Sequence, residues 1–219
     1  MPEVPDLRPH RPERVSVPVP DISLDPALRA RLGECRVAII GCGGLGSNVA
    51  EMLVRSGVGR LILVDFDTIN ESNLNRQFYF HDQIGMLKTV ALSENLRRIR
   101  PDVALDAVDC LVTDDTIVDI VRGADAIVEA VDSAATKAMI LNVCMAELPD
   151  VPLVTASGLA GYGSTNAIVT ERMAENLYVV GDLTSDVRDG HPLFASRVMT
   201  AAAAQAHAVV RVLLGYPEP

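Results

Sequence analysis

Two stretches of this chain carry residues spaced for chemistry. The first, GCGGLG at residues 41–46, stands between a compact β-branched run (36–40) and a segment of helical periodicity (44–58). Glycines there let the backbone turn tightly and approach a phosphate, and the helix start offers unpaired N–H groups and a positive dipole end. The second, SNLNRQFYF at 72–80, packs Asn73, Arg76 and Gln77 beside three aromatics in a chain with only 4% aromatic residues. Asp65, at the end of the second apolar run, is placed to accept hydrogen bonds from ribose hydroxyls. Arg76 and Lys88 add two cations, suited to a triphosphate. An adenosine ligand follows from this pattern, which does not choose between ATP and NAD. The bland readings are that the glycines serve close packing alone and that Arg76 and Lys88 are solvated surface charges.

Such residues need a sheet edge to hold them. Apolar runs at 36–40, 60–65, 103–108, 125–131 and 152–157 read as strands, and segments 24–32, 44–58, 88–100, 113–123, 134–148 and 193–215 as helices. Thr113 with the two acids after it reads as the cap of the 113–123 helix. Strand segments at 164–170 and 176–180 precede a polar loop at 181–192. Alternation of this kind predicts an α/β fold: a Rossmann-like, mostly parallel sheet flanked by helices, with a C-terminal β extension and a closing helix. Residues 1–23, rich in Pro and Arg, predict an extended or disordered arm, and 24–219 a single domain. The long polar passage from Asp65 to Lys88 is functional rather than disordered, because Phe78, Tyr79 and Phe80 can anchor it in the core.

Composition narrows the function further. Of the 219 residues 49% are hydrophobic and 22% charged, and the net charge is −10, which leaves no basic surplus for nucleic acid. Cys35, Cys42, Cys110 and Cys144 form no CxxC pair, so structural zinc is not expected and the thiols read as reduced, mostly buried residues. His10, His81, His191 and His207 have no metal-site spacing. With no apolar stretch of membrane-span length and no apolar leader, the expectation is a cytoplasmic protein.

The run GCGGLGSNVAEMLVRSGVGRLILVDFDTINESNLNRQFYF, followed by GMLK, resembles the ThiF/MoeB adenylyltransferases, bacterial relatives of ubiquitin-activating enzymes, over most of residues 33–180. The later TASGLAGYGSTNAI is most similar to the short ThiF-type proteins that adenylate the sulfur carrier ThiS. The resemblance implies an E1-like adenylation fold in which Gly41, Gly43, Gly44 and Gly46 cradle ATP. It further implies that Asp65 and Asp67 lie at the nucleotide and that Asn73, Arg76 and Gln77 face its phosphates. Lys88 matches the essential lysine, and Asp132, in EAVDS, an aspartate that supports Mg2+ and the α-phosphate. Read from the residues alone, Asp132 could instead cap the helix starting near Ala134. Ser133 stands where the family usually has Asn, and Lys137 near a common Arg.

The implied reaction is adenylation, with ATP and Mg2+, of the C-terminal carboxylate of a ThiS-like, ubiquitin-fold carrier ending in Gly-Gly, for thiamine biosynthesis. Arg76, Lys88 and Asp132 are the expected catalytic residues. The family also implies a homodimer, which the alanine-rich last helix fits as well as it fits an intrachain core, and an arginine given in trans, for which Arg8, Arg11 and Arg14 are undecided candidates. Lacking a loop cysteine at 179–194, the chain is expected to stop at the acyl adenylate and leave sulfur delivery to a donor such as a cysteine desulfurase. Alternatives are a molybdopterin-type carrier or tRNA as substrate, a nicotinamide-dependent oxidoreductase, and a non-catalytic scaffold subunit. The first two belong to the same family; the charge disfavours nucleic acid, and no membrane partner is expected.

Overall fold

A computed structural model describes residues 25–218. The expected arm, with Arg8, His10, Arg11 and Arg14, lies outside the described residues. The chain order is α1 (Pro26–Glu34), β1 (Arg36–Ile40), α2 (Gly46–Ser56), β2 (Arg60–Val64), α3 (Lys88–Ile99), β3 (Ala104–Val108), α4 (Ile117–Ile120), β4 (Ala126–Glu129), α5 (Ala134–Glu147), β5 (Leu153–Ala156), β6 (Val169–Ala174), β7 (Leu177–Gly181) and α6 (Ala195–Leu213). The strands form one seven-stranded sheet in the order β3-β2-β1-β4-β5-β7-β6. Every pairing is parallel except β6 with β7. The expected mostly parallel sheet, β extension and closing helix are all present.

Strand β1 shows why the sheet sits at the centre. All but its first residue are buried, and successive side chains enter opposite layers: Val37 and Ile39 join the core under α2, α3 and α6, Ala38 and Ile40 that under α4 and α5. Between β1 and β4 the winding reverses, since β2 lies on one side of β1 and β4 on the other. That reversal opens a crevice at the C-terminal ends of the strands, the place where such sheets bind ligands. Ala201, Ala202, Ala206 and Ala208 of α6 are buried within this same chain, where small residues let α6 lie close on α2.

Three expected elements differ. The 113–123 helix is reduced to the four residues of α4, because Thr113 and Thr116 bond one another: the Thr113 amide donates to Thr116 Oγ1 at 3.0 Å, and the Thr116 hydroxyl lies 3.4 Å from the Thr113 carbonyl. Side-chain bonds of that kind compete with the helix ladder. The strand expected at 164–170 begins only at Val169, after a 3-10 turn over Thr165–Ala167. Phe80, expected in the core with Phe78 and Tyr79, is 45% exposed. It lies instead under the Arg98 guanidinium, 5.8 Å from its ring centre, where the cation can interact with the face of the ring.

Candidate active site

A cavity of about 650 Å3 occupies the crevice. Gly41, Gly43 and Gly44 line it from beneath, Asp65, Asp67, Arg76, Gln77 and Lys88 on the β1–β2 side, and Asp132 and Lys137 on the β4–β5 side.

The glycine turn divides into two jobs. Gly41 has φ +94° and lies so close to β4 that a Cβ would sit 2.6 Å from the Ala130 carbonyl oxygen. At Gly46 a Cβ would fall 1.8 Å from the Gly41 oxygen. Gly46 therefore lets α2 start hard against the end of β1, and it is absent from the cavity lining. Gly43 has open space, with only Gln77 Nε2 near, at 3.8 Å from an added Cβ. The amides of Gly43, Gly44 and Leu45 donate to no other described residue, which leaves donors at a helix start, the arrangement that receives phosphate.

The polar loop is stitched onto this turn. Tyr79 is buried and donates its hydroxyl to the Cys42 carbonyl at 2.7 Å; burial, with Cys42 and Asp65 beside it, pushes the phenol far up, so it remains a donor. Ser47 Oγ accepts from the Phe78 amide at 3.0 Å, and Asn48 Nδ2 donates to the Arg76 carbonyl at 2.9 Å. Arg76 is thereby fixed over Gly44, its Nη1 donating to the Asn75 side chain at 2.7 Å and the Ser72 carbonyl at 3.2 Å. Gln77 is buried, and its Oε1 has no partner among the described residues. Asn73 is placed differently from the expectation: its Oδ1 accepts from the Asn70 amide at 3.0 Å, shaping the turn, and it does not line the cavity.

Asp65 accepts from the amides of Cys42 at 2.7 Å and Asp67 at 2.8 Å, so one carboxylate orients both the glycine turn and the following residues. Lys88 is buried as the first residue of α3, where a helix dipole disfavours a cation. Asp67 at 2.6 Å and Asp65 at 3.8 Å offset this. The two carboxylates thus fix the Lys88 ammonium in one place at the edge of the cavity.

On the other side, Asp132 is exposed and makes no hydrogen bond or ion pair among the described residues. It is not the cap of α5; Ser133 is, its Oγ accepting from the Thr136 amide at 3.3 Å. Two features there escaped the sequence reading. Glu129, fully buried at the end of β4, accepts from Lys137 and from Thr155. The signal available was a lone acid inside the apolar run AIVEAV. Asp182, distant in sequence from the motifs, pairs with the buried Arg197. Burial alone would raise its carboxyl, but the Ser185 and Thr184 amides and Arg197 together hold it well below the usual carboxylate range. It ties down the turn leading into residues 185–188, which edge the cavity.

Of the cysteines, Cys42 and Cys144 are buried, whereas Cys35 and Cys110 are half-buried and Cys110 lines the cavity. Burial pushes the Cys110 thiol up, with Asp109 adding to it, so no activated thiolate is formed there. No described helix is long and apolar enough to cross a membrane.

A model of the ThiF family matches residues 17–219. Among curated proteins, the tRNA threonylcarbamoyladenosine dehydratase of Haemophilus influenzae is 33% identical over 168 residues, 76% of this chain and 59% of that protein. The sulfur carrier protein ThiS adenylyltransferase of Escherichia coli is 35% identical over 159 residues, 72% of this chain and 61% of that protein. The chain thus spans about three fifths of the length of either relative. The E. coli tRNA N6-threonylcarbamoyladenosine dehydratase, solved in complex with ATP, superposes with a TM-score of 0.79 at 22% identity, covering 86% of this chain and 89% of that one. At that identity the likeness establishes a common fold.

Proposed function

This chain belongs to the ThiF family, and on that basis we propose that it is an ATP-dependent adenylyltransferase acting on the C-terminal glycine carboxylate of a ubiquitin-fold carrier. The carrier is ThiS-like and ends in Gly-Gly, and the product feeds thiamine biosynthesis. The observation that carries this reading is the convergence of the glycine turn, Arg76 and Lys88 on one cavity of about 650 Å3. The similarity to the ThiS adenylyltransferase supports the choice of carrier.

In the reaction the carrier carboxylate, already ionised at neutral pH, attacks the α-phosphorus of ATP without a general base. A C–O–P bond forms, the bond to the β-phosphate breaks, and pyrophosphate leaves. Arg76 and Lys88 are prefixed positive charges for the charge that develops on the phosphates, so no reorganisation is needed as it forms. Asp65 orients the ribose end, and Gln77 lines the cavity beside it. Asp132 fits a magnesium ion, since Mg2+ on a nucleotide commonly takes one or two carboxylates beside the phosphates. Bound there, the ion would neutralise charge on the phosphate chain. With Cys110 not activated and no cysteine at 179–194, sulfur transfer falls to a separate donor such as a cysteine desulfurase. Replacing all four cysteines by serine leaves exchange intact in a folded variant; its abolition would contradict this division of labour.

ATP–pyrophosphate exchange, measured with a panel of Gly-Gly-ending carriers, tests the proposal. Exchange that depends on one such carrier supports it, and its absence with every carrier refutes it. The dehydratase relative motivates one further arm, in which tRNA replaces the carrier. The net charge of −10 argues against exchange in that arm.

A further inference from the structure

We propose that Lys137, held in place by the buried Glu129, receives the carboxylate of the acyl substrate at the β4–β5 end of the cavity; this rests on the adenylyltransferase reading above. Glu129 is wholly buried, and both its oxygens are engaged. Its Oε1 accepts from the Val131 amide at 2.8 Å, and its Oε2 accepts from the Lys137 ammonium and the Thr155 hydroxyl. Lys137 Nζ also lies 3.4 Å from Thr155 Oγ1. The Lys137 side chain keeps 26% exposure and lines the cavity.

A buried ion pair of this kind contributes little to stability that an apolar pair would not. What it does contribute is orientation. A lysine stem has several freely rotating bonds, and the pair fixes it in one place. Glu129 also grips the backbone one residue before Asp132, so the same carboxylate sets two groups on this wall. Glu129 is thus a positioning residue, and Lys137 the group that touches substrate.

The choice of a carboxylate over a phosphate follows from donor count. An ammonium has three N–H bonds. Two point to Glu129 and Thr155, leaving one for the cavity. One donor suits one carboxylate oxygen and leaves the other free to attack phosphorus. With one N–H left, Lys137 has fewer donors than a phosphate chain would use, and Arg76 and Lys88 already line the β1–β2 wall of the cavity. In-line displacement also requires the attacking group and the leaving pyrophosphate on opposite sides of the α-phosphorus. On this proposal the leaving pyrophosphate faces Arg76 and Lys88, and the attacking carboxylate faces Lys137.

Steady-state exchange with full-length protein, ATP and the activated carrier tests this in Lys137→Met, Lys137→Arg and Glu129→Gln. Lys137→Met is expected to raise the carrier KM by about tenfold or more, the loss of one hydrogen bond to a charged group, while the ATP dissociation constant stays within about twofold. Lys137→Arg recovers most of the loss, and Glu129→Gln shifts carrier KM in the same direction. An unchanged carrier KM in Lys137→Met, or a loss confined to ATP affinity, overturns the proposal. Should Glu129→Gln fail to fold by circular dichroism, the two Lys137 variants decide. No carrier-dependent exchange in the wild type is a different outcome: it removes the adenylyltransferase reading and this inference with it.

Discussion

The two walls of the crevice are built on different principles. The β1–β2 wall is dense: the glycine turn, Asp65, Tyr79, Ser47 and Asn48 bind one another through short hydrogen bonds, and Lys88 is buried between two aspartates. The β4–β5 wall is open: Asp132 is exposed and unpartnered among the described residues, and Lys137 stands partly in solvent against its buried acid. The contrast fits a rigid nucleotide seat facing a wall that a macromolecular substrate must be able to enter. On the proposed reaction, preorganisation would lie where charge develops and accessibility where the carrier arrives.

The sharpest way to break this contrast is to remove a cation from the dense wall. Arg76→Ala or Lys88→Ala is expected to lower the exchange rate about a hundredfold to a thousandfold, taking loss of an oxyanion donor as the guide, with little change in thermal midpoint for Arg76→Ala. Equal losses from removing exposed arginines elsewhere, such as Arg122, would mean that the dense wall is not special.

Next comes packing behind that wall. Gly46→Ala drives a methyl to 1.8 Å from the Gly41 oxygen and is expected to destabilise the fold by about 3 kcal/mol or more, read by urea denaturation. Gly43→Ala meets only Gln77 Nε2, at an ordinary contact distance of 3.8 Å, and is expected to fold normally while binding nucleotide less well. The reverse pattern would exchange the roles assigned to the two glycines.

The Asp182–Arg197 pair at the far edge of the open wall carries a pH signature. Its folded carboxyl is held below the ordinary value. The stability it contributes is therefore present above the unfolded value, near pH 3.9, and is lost as pH falls through the folded one. Asp182→Asn is expected to cost about 2 kcal/mol at pH 7, and the gap from wild type to close in acid. A gap that widens as pH falls would reverse the assignment.

The smallest effect separates two adjacent residues. Ser133→Ala is expected to cost about 1 kcal/mol of stability, as loss of a helix cap does, with exchange nearly intact. Asp132→Asn is expected to leave the melt unchanged and slow the exchange. Melting curves and exchange rates measured on both variants check this directly.

The dense wall was legible in the sequence, and the open one largely was not. Glycine turn, second-strand acid, RQ loop and Lys88 follow one another from β1 through α2 and β2 to the start of α3, a continuous segment whose motif spacing brings them to neighbouring strand ends. Thr155 meets Glu129 only because β4 and β5 are neighbours, Lys137 reaches Glu129 back across the turn from β4 into α5, and Asp182 finds Arg197 across the turn from β7 into α6. No local spacing reports such pairings. Asn73 and Gly46 lie on the legible side but have structural duties there, one bonding the turn and the other the helix start. Motif position indicated their neighbourhood but not their contacts.

The central claim is that an ATP phosphate chain lies between the glycine turn and the Arg76 and Lys88 side chains. Calorimetric titration of wild type and Arg76→Ala with Mg-ATP, and of wild type with NADH, tests it most directly. The account predicts ATP binding by the wild type, at least about tenfold weaker binding by Arg76→Ala, and no NADH binding. Tight NADH binding without ATP binding, or wild-type ATP affinity in the variant, would contradict it.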